Sequence, residues 1–174
     1  ISLFADHFMD RYVDHRSIYG WDIMNESEVA PEVLRDIVTN EQQWDFIRLF
    51  ADMIKGKLAG TSAGQFLTAG NKDRKYLKDM LLYWHGQGYD DILSLYQFHY
   101  YDAMGMPDLA PLDSEERELA GGVPVLVGEV SSASDPRQLG SNTWTAITEK
   151  MDYLSQNNFA GGLLAVASVE RVQI

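Results

Sequence analysis

Cysteine is absent from the 174-residue chain, which excludes disulfides, zinc–thiolate sites and a cysteine nucleophile. No apolar run comes near the roughly 18–20 residues that span a bilayer. Basic residues are scarce, with 14 Lys and Arg against 26 Asp and Glu, a formal net charge of −12. Phosphate backbones and anionic lipid surfaces repel such a chain, so neither nucleic acid nor membrane is expected as a partner. A neutral sugar polymer meets no such barrier. Glycine-rich phosphate loops of the G-x-G-x-x-G and P-loop kinds are missing too. No pair among His7, His15 and His85 has metal-ligand spacing, so no metal is expected, and no cofactor is expected either. The chain opens on "ISLFADHF", without an initiating Met or a signal peptide, and is expected to be a piece of something longer.

What is present is a globular composition, 45% hydrophobic and 23% charged, enough for one domain over residues 1–174. Leu3, Phe4, Phe8, Tyr12 and Val13 predict a helix over 1–18. "YGWDIMNE" reads as a short buried strand, and a short helix is expected after Pro31. Phe46, Ile47, Phe50, Met53, Ile54 and Leu58 form a helical stripe within 42–58. "GQFLTAGN" predicts a strand at 64–71, and Leu77, Met80, Leu81 and Trp84 a helix closed by Gly86 and Gly88. Strands follow at 91–102 and 123–132, separated by a loop and a short helix at 114–120. Trp144, Ile147, Met151 and Leu154 give one more helix, and "GGLLAVASV" the last strand. Apolar strands alternating with amphipathic helices predict a parallel α/β sheet, either an open doubly wound sheet or a closed barrel.

The polar residues favour the barrel, because they gather at the carboxyl ends of several strands. The first strand ends in Asn25 and Glu26; the apolar strand "VPVLVGEVSS" ends in Glu129. Between them "YQFHYYD" offers His99 and Tyr101, which alternation places on one face, leaving Phe98 and Tyr100 toward the helices. Two convergent carboxylates suit glycoside hydrolysis, in which one protonates the leaving oxygen and the other attacks the anomeric carbon or activates water. An amide can hold a sugar hydroxyl, a tyrosine can orient a nucleophile, and a histidine can tune proton balance.

"SIYGWDIMNE", "FHYYD" and "VLVGEVSS" resemble strands 4, 6 and 7 of the clan A glycoside hydrolases, most closely the family 5 endoglucanases and mannanases. The resemblance implies a (β/α)8 TIM-type barrel, with only strands 4 to 8 in this chain and strands 1 to 3 missing. It implies a retaining hydrolase of a β-glycan such as mannan or cellulose, with Glu26 as acid/base and Glu129 as nucleophile. Asn25 would then bind a sugar hydroxyl, Tyr101 would hydrogen-bond the nucleophile, and His99 would line the subsite of the cleaved sugar. An extracellular or periplasmic location is also implied, as is completion of the barrel by an N-terminal portion or a second copy. Two departures stand out: the missing strands, and "LLAVASVE", which lacks the aromatic platform the clan carries on strand 8. A barrel that binds carbohydrate without cleaving it is the alternative, and an inverting hydrolase a further one.

Other residues have plainer expectations. Trp21, Trp44, Trp84 and Trp144 are assigned to the core, and His7, His15 and His85 to the surface or to packing. "DSEERE" is read as a solvated helix start, and "DAMGMPDLAPLD" as a surface loop whose Met104 or Met106 could wall a cleft. Asn71 lies just past a strand, within reach of a sugar, but is not assigned to the site.

Overall fold

The computed structural model describes residues 2–33, 37–62, 64–100, 110–131 and 143–165. The elements run α1 (Ser2–Tyr12), β1 (Gly20–Asn25), α2 (Val29–Val33), α3 (Asn40–Leu58), β2 (Phe66–Asn71) and α4 (Arg74–Gly86). They continue β3 (Tyr96–Tyr100), α5 (Ser114–Leu119), β4 (Val125–Ser131), α6 (Thr143–Gln156) and β5 (Gly161–Ala165). The five strands form one sheet in the order β1-β2-β3-β4-β5, and every neighbouring pair is parallel. The protein is thus α/β with a five-stranded parallel sheet. No helix among the described residues is long and apolar enough to cross a membrane.

One face of the sheet is apolar and covered by helices. Leu67 and Ala69 of β2, Tyr96 and Phe98 of β3, and Val125, Val127 and Val130 of β4 are all buried there. Against them pack Trp44, Ile47, Ala51 and Ile54 of α3 and Leu77, Met80, Leu81 and Trp84 of α4. Helix starts are set by side chains that accept orphan N–H groups. Thr39 and Gln42 form a capping box on α3, and Asp73 caps α4 through the Tyr76 N–H at 3.1 Å. Phe98 meets Phe159 edge-to-face with centroids 6.1 Å apart, tying β3 to the turn before β5.

Several expectations need correction. α1 ends at Tyr12 rather than near 18, and it buries Met9, while Phe8 is 43% exposed. β3 starts at Tyr96 instead of 91: Asp91 takes a positive φ of 54°, and the chain bends at Ser94 and Leu95 before the strand begins. Ile92 and Leu93 are still buried, held by the Ser94 and Leu95 N–H groups donating to the Leu67 carbonyl. "DSEERE" is not simply solvated. Asp113 caps α5 and Glu116 is 8% exposed, paired with the Arg74 guanidinium. Arg74 also donates to the Ala110 and Pro111 carbonyls, fixing the chain where it descends toward α5.

Trp44 and Trp84 are core, as expected, and Trp21 packs against the core's margin. His7, His15 and His85 are exposed. The side chain of Trp144, together with Met104 and Met106, lies outside the described residues.

Candidate active site at the carboxyl ends of the strands

The opposite face of the sheet is polar. Asp22 of β1, Thr68 of β2, and Gln97 and His99 of β3 share it, and the last three are buried. The Gln97 side-chain amide donates to Asp22 Oδ2 at 2.6 Å, and His99 Nδ1 lies 2.7 Å from Glu26 Oε1. Both contacts run from β3 to β1 across the intervening β2. Strands two apart in a sheet are separated by roughly 9–10 Å, a gap these paired long side chains bridge by reaching over β2.

Glycine makes this approach possible. A Cβ on Gly70 would lie 3.1 Å from His99 Nε2 and 3.3 Å from Asn25 Oδ1. A Cβ on Gly128 would overlap the Gln97 side chain. With bare backbone at both positions, the imidazole and the amide lie flat on the neighbouring strands.

The two carboxylate strands are irregular where the chemistry sits. In β1, Asp22 pairs with Thr68 but Asn25 with Gly70, so β1 has one residue more than its partner. In β4, Val127 pairs with Phe98 but Glu129 with His99, again one extra residue. Each bulge re-aims the side chain that follows it. Glu129 therefore turns to the polar face even though Val127 and Val130 both point into the helix-covered core. Glu26 leaves β1 with a φ of 44°, and its N–H donates to the Gly70 carbonyl at 2.9 Å. Such a conformation is costly for a residue with a side chain and is typical of functional sites.

The result is a compact group. His99, 2% exposed, presents Nδ1 to Glu26 at 2.7 Å and to Glu129 Oε2 at 3.6 Å. The carboxylates themselves are 27% and 32% exposed, open to a ligand from above. One oxygen of each lies within 4.8 Å of the other and of the histidine nitrogen. Asn25 sits beside them against Gly70. The structure thus brings together Glu26, Asn25, His99 and Glu129 of the expected site, while Tyr101 lies outside the described residues. Asn71 plays a structural part, 1% exposed and donating to the Gln97 carbonyl at 3.0 Å.

Spacing between histidines could not disclose one property of this group. Two carboxylates and one imidazole at these distances are also a donor set for a divalent cation. Sequence reading also missed Asp22, Gln97 and Glu28. Gln97 was accessible by alternation, two residues before His99, and Asp22 as the single charge in an apolar strand. Removal from water raises the Asp22 carboxyl above its ordinary range, opposed by hydrogen bonds from Gln97 and backbone groups and by His99. Glu28 is raised likewise, first by burial and then by repulsion from Asp73 and Glu26. Nothing in the local pattern marked Glu28.

Comparison with protein-family models, with curated proteins and with solved structures finds no match. The chemistry of the site therefore rests on its own geometry.

Proposed function

We propose that the protein is a retaining glycoside hydrolase, cleaving β-glycosidic bonds of a neutral β-glycan such as mannan or cellulose. The observation that carries this reading is the Glu26–Glu129 pair, with an oxygen of each within 4.8 Å. Retaining enzymes hold their carboxyl groups about 5–5.5 Å apart, whereas inverting ones leave about 6.5–9.5 Å for a water. The close approach of these oxygens favours the retaining arrangement.

In the first step Glu129 attacks the anomeric carbon while Glu26 gives its proton to the departing glycosidic oxygen. In the second, Glu26 takes a proton from water, which attacks the glycosyl–Glu129 ester and releases the sugar with its configuration retained. His99 holds Glu26 through Oε1, leaving Oε2 to meet the leaving group. Asn25 binds a sugar hydroxyl.

The fold reading that accompanies this is a segment of a (β/α)8 barrel, corresponding to strands 4 to 8. It is supported by the strand order, which never reverses as a doubly wound sheet's does, and by the polar side chains gathered at the carboxyl ends of the strands. β1 and β5 are the outer strands of the described sheet, and Leu163 on β5 is 58% exposed. Further strands, from an N-terminal portion or a second copy, would close the barrel there.

The test is turnover of β-1,4-mannan and β-1,4-glucan oligosaccharides by the wild-type protein, by Glu129→Gln and by Glu26→Gln. Hydrolysis lost in both variants supports the assignment; hydrolysis surviving in Glu129→Gln sinks it. A second reading, favoured by the donor set itself, makes the three residues ligands of a divalent cation. Dialysis against a chelator separates the two: turnover should be unchanged if the carboxylates act directly.

A further inference from the structure

Glu28 lies two residues beyond Glu26, in the turn between β1 and α2, and is 1% exposed. Its Oε2 accepts the Lys72 N–H at 3.2 Å, the first backbone donor beyond β2. Oε1 and the neighbouring Ser27 Oγ are buried without hydrogen-bond partners. A fold does not usually enclose a carboxylate this way unless it holds something in place.

What it can hold is the turn itself. Glu26 takes its left-handed conformation there, braced by its own N–H on the Gly70 carbonyl and by the Val29 N–H on its carbonyl at 3.0 Å. The first of those bonds ties Glu26 to β2 at Gly70, and the second closes the turn on itself. The Glu28–Lys72 bond adds a second tie just beyond the end of β2, so the turn is held to that strand on both sides of Ser27.

We propose that Glu28 is a positioning residue: it latches the β1–α2 turn to the end of β2 and thereby holds Glu26 in register with His99. This rests on the proposed role of Glu26 and adds a residue to it. The charged groups facing Glu28 are Glu26 from its own turn and Asp73 from the turn after β2. Burial together with this like-charge company favours its neutral form, in which it still accepts from Lys72.

Two variants separate latch from charge. Glu28→Gln keeps an acceptor for the Lys72 N–H, and Glu28→Ala removes it. In Glu28→Ala the Glu26–His99 separation should open beyond hydrogen-bond reach in a crystal structure. Its kcat should fall by about ten- to a hundredfold, with KM changed much less. Glu28→Gln should restore both. If Glu28→Ala does not fold, Glu28→Asp, which withdraws the acceptor by one methylene, is read the same way. The proposal is overturned if the alanine variant keeps the Glu26–His99 contact and wild-type kcat, or if Gln does no better than Ala. Should wild-type protein cleave no β-glycan, the hydrolase reading fails, while the crystallographic separation still decides the latch.

Discussion

β3 and β4 deliver side chains to the same place by different means. β3 is regular: Tyr96 and Phe98 go to the core, Gln97 and His99 to the polar face. β4 cannot do this by alternation. With Val125 and Val127 buried against the helices, a regular strand would send Glu129 there too. The extra residue at Gly128 turns it round, and β1 uses the same device to bring Asn25 over Gly70. Bending a strand costs pairing, and here it is done only where the carboxylate strands end.

The sharpest way to break this comparison is to put a side chain on Gly128, where a Cβ would overlap the Gln97 side chain. Gly128→Ala must then shift the bulge or push Gln97 aside, at a cost of about 1–3 kcal/mol. Denaturant melting should show that loss, and hydrolysis should fall with it. Glu129→Gln separates chemistry from folding, because turnover should drop on the order of 10⁴-fold while the melting curve barely moves. Phe98→Ala makes the opposite cut on regular β3. It should cost about 3–5 kcal/mol in urea unfolding through the cavity left beside Phe159. Loss of that order without a matching change in kcat of the folded fraction would confirm that the two faces act separately.

The smallest effect concerns pH. A carboxyl raised in the folded state stabilises fully below its unfolded pKa and loses that contribution as pH rises through the folded value. For Glu28 the window opens near 4.5, its ordinary value, and extends upward. Glu28→Gln should therefore lose less stability than wild type as pH rises above about 4.5. Parallel stability–pH curves for the two proteins would contradict the raised carboxyl.

The sequence made the elements and the layer order legible, since helix stripes such as Trp44–Ile47–Ile54 and the apolar strands follow simple periods. His99 was legible for the same reason. Glu26 and Glu129 were found by residue type at strand ends, yet their direction was not readable, because a bulge shifts the register without leaving a composition signal. Glu28 was invisible: its role comes from Lys72, which is 44 residues away and meets it only in the folded chain. The helix start at "DSEERE" misled for a similar reason, since the partner of Glu116 is Arg74, 42 residues earlier.

The central claim is that Glu26 and Glu129 act as a retaining pair, and the anomer first released tests it most directly. Proton NMR of a β-glycan oligosaccharide during early hydrolysis should show the β-anomer forming first and mutarotating to α. An α-anomer appearing first would mean inversion through water, and the close carboxylate pair would then not be the catalytic one.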